Sequence, residues 1–156
     1  YSRFGPVRPA HPRTNPLTDA KQSALSDITR TVMSIVDSWG LQVAEMQRLL
    51  DLPENVRARA FNKFREGQAS LPDDPSVLRR AQYVIRIGDA LRTTYPLNPR
   101  MGERWVRQRH RRFGGRTPLA IILGDGESGM IAVLSELDCT FSWDLTGSKP
   151  HRTAQA

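Results

Sequence analysis

Phe113-Gly114-Gly115-Arg116-Thr117-Pro118-Leu119 divides this 156-residue chain electrostatically. Residues 96–116 carry seven arginines and one acid, whereas residues 117–148 carry five acids and no lysine or arginine. The stretch also dictates a backbone. Gly114-Gly115 open conformations that a Cβ resists. Thr117 can cap a helix whose first turn accepts Pro118 without losing a hydrogen bond. Leu119, Ile122 and Leu123 then share one helical face, and Met130, Val133, Leu134 and Leu137 share another. Gly124-Asp125-Gly126 between them predicts a break and a compact helical hairpin.

Working outward towards the N-terminus, the same periodicity recurs. Leu25, Ile28, Val32, Val36 and Trp39 form a stripe opened by Ser23 or Ser26 and closed by Gly40. A helix over 41–50 is broken at Asp51-Leu52-Pro53, and another is predicted over 54–66 with Val56, Ala60, Phe61 and Phe64 inward. Short helix, turn, helix is the pattern of a helix-turn-helix. Val77, Ala81, Val84, Gly88, Leu91 and Tyr95 mark a long helix opened by Asp74 or Ser76. A further helix is expected over 100–112. The only alternation of strand type is Phe141, Trp143 and Leu145, read as a short extended segment. The fold class is therefore all-α: a helix-turn-helix domain over 23–70 followed by a small helical domain over 74–138. Residues 1–22, with four prolines and three arginines, read as a disordered basic tail, and 139–156 as a C-terminal segment and tail.

Net charge +7 favours polyanionic partners. Arg57, Arg59, Asn62, Lys63 and Arg65 lie on the third helix and are the DNA-binding candidates, since arginine and asparagine read base edges and cations hold phosphates. The net charge of residues 41–67 is only +1, which counts against that assignment. Gly124 to Gly129 match G-x-G-x-x-G, but Asp125 and Glu127 would repel a pyrophosphate and too little chain follows for a doubly wound sheet. The three histidines are scattered, the single Cys139 cannot form an intrachain disulfide, and no catalytic or metal-ligating motif occurs. Hence no catalytic residue, metal or cofactor is expected, and no enzyme activity. No apolar run approaches the length of a membrane span, and no signal-peptide core is visible at the N-terminus.

Two regions together resemble the Xre/MbcA/ParS antitoxin family. One is Leu49-Leu50-Asp51-Leu52-Pro53 with Phe64-Arg65-Glu66-Gly67; the other is Trp105, the Phe113–Leu119 stretch and Gly124-Asp125-Gly126. The resemblance implies a bacterial, cytoplasmic antitoxin of a type II toxin-antitoxin pair. Such proteins bind RES-domain toxins, which consume NAD, cover their active sites and repress their own operons through the helix-turn-helix. The toxin-binding candidates are then Phe113, Gly115, Pro118, Leu119, Ile122, Gly126, Met130, Leu134, Phe141 and Trp143. The acidic hairpin is expected to face the toxin, with part of its apolar surface exposed and Phe141 and Trp143 docking on the partner. Operator binding implies a homodimer or a larger hetero-oligomer with toxin. An alternative is a stand-alone helix-turn-helix regulator whose C-terminal domain dimerises.

Overall fold

The computed structural model describes Gly5 and residues 15–146, with side chains placed through Asp138. Among the described residues the chain is all helical: α1 (Pro16–Ser38), α2 (Val43–Leu50), α3 (Ala58–Arg65), α4 (Pro75–Thr94), α5 (Arg100–Arg107), a 3₁₀ turn (Arg111–Phe113) and α6 (Pro118–Thr146).

The helix starts follow cap chemistry. α1 begins at Pro16, ahead of Ser23, so residues 16–22 of the expected basic tail are helical. Asn15 Oδ1 accepts from Leu17 N at 3.2 Å, and Pro16 occupies the first turn, where a proline costs no hydrogen bond. α1 ends as expected at Gly40 (φ 68°), where Gly40 N donates to Asp37 O and Leu41 N to Val36 O. α2 opens with Gln42 N donating to Glu45 Oε1 at 2.9 Å and closes on Asp51 in the left-handed region. Residues 51–57 then form the turn. α3 is shorter than the predicted 54–66, and Phe61 and Phe64 anchor it edge-to-face with ring centroids 5.7 Å apart. Asp74 caps α4 through Ser76 N at 2.8 Å.

α4 is the central helix. Val77, Ala81, Val84, Ile87, Gly88 and Leu91 are buried on it, and it packs against α1, α2, α5 and α6. The close approach of α1 occurs at Gly88, where a Cβ would lie 2.7 Å from Ile35 Cδ1. The buried side chains form one cluster running from Val32 and Met33 on α1 through Phe61 on α3 to Leu137 on α6. The two regions expected as separate domains thus share a core.

Thr29 is the buried polar residue of that core. Its Oγ1 donates to Leu25 O at 2.7 Å and accepts from Leu71 N at 2.9 Å, tying the α3–α4 connection to α1. Thr29→Val keeps the shape and orphans the Leu71 amide, so it is expected to cost about 1–3 kcal/mol in urea unfolding. An unchanged midpoint would mean that Leu71 N finds another acceptor.

α6 is two helical arms joined at Gly126 (φ 64°, ψ −135°). Residues eight apart in a straight helix are separated by about 12 Å. Here a Cβ on Gly129 would lie 3.0 Å from the Ile121 carbonyl carbon and closer still to its oxygen. The second arm therefore folds back on the first, giving the expected hairpin. Residues 139–146 continue that arm as helix rather than the extended segment predicted from Phe141, Trp143 and Leu145. Propagating an existing helix is cheap, and three alternating residues are a weak opposing signal. By length and composition α6 over Pro118–Asp138 could cross a membrane, contrary to the sequence expectation, yet it is broken at Gly126 and its apolar side lines the shared core.

Candidate functional site

The loop between α5 and α6 closes on itself. His110 O accepts from both Phe113 N (3.0 Å) and Gly115 N (3.1 Å), Arg111 O from Gly114 N (3.1 Å), and Arg116 O from His110 N (3.2 Å). Gly114 and Gly115 hold φ of 64° and 79° in succession, and a Cβ on either would meet nothing within 4 Å. The glycines are therefore required by backbone conformation rather than by space. Thr117 Oγ1 accepts from Ala120 N at 3.0 Å and starts α6. The closed loop sets Phe113 edge-on to Trp105, with centroids 6.3 Å apart, and Trp105 lies 5.0 Å from the His110 ring. His110 Nε2 is 3.1 Å from Trp105 O. Trp105, His110, Arg111, Arg112 and Glu136 line a small cavity of about 190 Å³ here.

The elbow of α6 is ringed by arginines. Breaking a helix frees carbonyls in its last turn. Arg48 Nη2 donates to Leu123 O at 3.1 Å, and Arg116 Nη2 to Ala120 O at 3.4 Å. Arg80 donates to Arg48 O and closes over Gly126, where a Cβ would lie 3.2 Å from its Nη2. Cations suit these helix C-terminal carbonyls. The elbow acids are taken up as well: Asp125 pairs with Arg116 at 3.2 Å and Glu127 with Arg79 at 3.1 Å, while Glu136 pairs with Arg112. The acidic hairpin expected to offer its charge to a partner is thus largely neutralised within the chain. The periodicity of α2 and α4 contained no signal for Arg48, Arg79 and Arg80, because their contacts span long sequence separations.

The toxin-binding candidates separate into two sets. Phe113 and Gly126 are half-buried and Gly115 is exposed, so these reach the surface. Pro118, Leu119, Ile122, Met130 and Leu134 are buried. The last four belong to the shared core; among the described residues of the hairpin, Ile131, at 46% exposure, is the large apolar side chain left in water. The reason is that α4 covers the apolar faces that would otherwise need a partner. The side chains of Phe141 and Trp143 lie outside the described residues.

On α3 the exposed face holds Arg59, Asn62 and Lys63, with Arg57 at the N-cap. Arg65, also in the expected DNA set, is engaged within the chain. Its Nε and Nη2 bind the two carboxylate oxygens of Asp37 at 2.8 and 2.9 Å, and its Nη1 donates to Asn62 Oδ1 at 2.8 Å. The hydrogen bonds that Arg65 donates to Asp37, aided by the carboxylate's charge, raise the Arg65 pKa above its usual value. Arg65 therefore clamps α3 to α1.

Residues 91–140 match a family described as the antitoxin Xre/MbcA/ParS C-terminal toxin-binding domain. The match covers the end of α4, α5, the closed loop and most of α6, less than half of the chain, and supports the role of an antitoxin, a protein that acts by binding a toxin. Within that class, the matched span is similar to antitoxins of the Xre/MbcA/ParS type. Comparison with curated proteins and with solved structures returned no match.

Proposed function

We propose that this antitoxin neutralises a NAD-consuming toxin of the RES type by covering its active site, and that α3 delivers the complex to its own operator DNA. The observation that carries the first half is the matched span, which contains the closed Phe113–Leu119 loop and the α6 hairpin. The second half rests on α2 and α3, two eight-residue helices whose second member turns Arg59, Asn62 and Lys63 outward from a face anchored by Phe61 and Phe64. Residues with that donor chemistry suit the major groove.

The test is expression of the adjacent reading frame alone and together with this chain. Alone, its product is expected to stop growth and deplete cellular NAD; together, growth and NAD recover and the two proteins co-purify. A partner that is toxic without touching NAD would remove the RES assignment. An adjacent product that neither binds nor poisons the cell would leave a stand-alone regulator as the better account.

A further inference from the structure

We propose that the cavity beside Trp105 is a socket for a carboxylate side chain of the toxin. This deepens the toxin-binding reading above and rests on it. Of the five acids in the matched span, Asp125, Glu127 and Glu136 are in ion pairs with arginines of the same chain, and Glu103 and Asp138 are exposed. Arg100, Arg104, Arg109 and Arg111, by contrast, are exposed and have no acidic partner among the described residues. The charge this region offers a partner is therefore positive, and the complementary surface is acidic.

Of those arginines, Arg111 lines the socket. Trp105 and His110 form one wall, Arg111 and Arg112 bring two guanidinia, and the carboxylate at the rim, Glu136, is already joined to Arg112. At about 190 Å³ it falls below the usual range of roughly 300–1,000 Å³ for small-molecule sites. It has room for one side chain rather than a nucleotide. Tryptophan and arginine around a small depression are the composition of binding hot spots. A guanidinium fork offers a carboxylate two parallel donors, and the adjacent indole excludes water from that pairing.

The experiment measures the affinity of the full-length antitoxin for the toxin encoded beside it, at two or more salt concentrations. Arg109→Glu with Arg111→Glu is expected to weaken the complex at least tenfold and to flatten its salt dependence, while Arg111→Lys retains part of the affinity. Both side chains are exposed, so the melting temperature should stay that of the parent; Arg111→Gln alone carries the same readout if the double variant melts early. Unchanged affinity and salt response in the double variant, with the parent still binding, would overturn the socket and leave the toxin-binding reading intact. Loss of operator affinity with toxin affinity unchanged would also overturn it, assigning the arginines to DNA phosphates. A parent that fails to bind the toxin removes both readings.

Discussion

Gly129→Ala is expected to lower the melting temperature by about 10 °C and to abolish toxin binding with it. The added methyl would lie 3.0 Å from both the Ile121 carbonyl carbon and Asp125 Cβ, and closer to the Ile121 oxygen. A backbone carbonyl inside a helical arm cannot turn aside as a side-chain tip can. Overpacking of this kind costs about 1–3 kcal/mol even where side chains yield, and the rigid neighbour puts this site at the upper end. In a domain of this size each kcal/mol moves the melting point by roughly 2–4 °C. The effect on binding follows because the hairpin can relieve the clash by opening, which displaces the arm carrying Met130, Val133, Leu134 and Leu137 from the core. Gly88→Ala is the control: its methyl meets the flexible end of Ile35 and should cost less. A Gly129→Ala protein that melts within about 2 °C of the parent would show that the two arms are not held together at this point.

The triple change Arg57→Ala, Arg59→Ala, Lys63→Ala is expected to reduce operator affinity by a factor of about 100 or more. A residue reading a base edge contributes roughly 1–3 kcal/mol of discrimination, and each lost phosphate contact also lowers the slope of log affinity against log salt by about 0.9. All three side chains are exposed and none belongs to the hydrophobic core, so stability should change little. Arg65 is left out deliberately. It is held by Asp37, and changing it would loosen α3 and confuse a loss of contact with a loss of position. A gel-shift titration at several salt concentrations checks the prediction. Unchanged operator affinity would remove α3 from the DNA interface.

These two expectations differ in how far the sequence foretold them. The outward residues of α3 are legible because Phe61 and Phe64 fix the inward face, and helical geometry then places Arg59, Asn62 and Lys63 on the other side. The clash at Gly129 is not legible. Gly124-Asp125-Gly126 announces a break, but the angle at Gly126 and the return of the second arm depend on α4 and on Arg48 and Arg80, which arrive from distant parts of the chain.

The sequence alone was enough for the all-helical class, a helix start at Asp74 or Ser76, the glycine stop at Gly40 and the double-glycine loop before Thr117. Each is a local matter of backbone freedom or hydrogen bonding within a few residues. The resemblance to the antitoxin family was legible for the same reason, because its motif is a contiguous loop and helix start. Tertiary structure decided which apolar residues would be left for a partner. Leu119, Ile122, Met130 and Leu134 have the periodicity of a binding face, and only the packing of α4 against them turns that face into core. It also decided the charge the protein presents. The acids of the hairpin count as negative in the sequence, but arginines from α4 and from the closed loop pair with most of them, leaving the exposed Arg100, Arg104, Arg109 and Arg111 as the dominant charge of this region. Burial and ion pairing depend on groups far apart in the chain, so neither can be read until the helices have met.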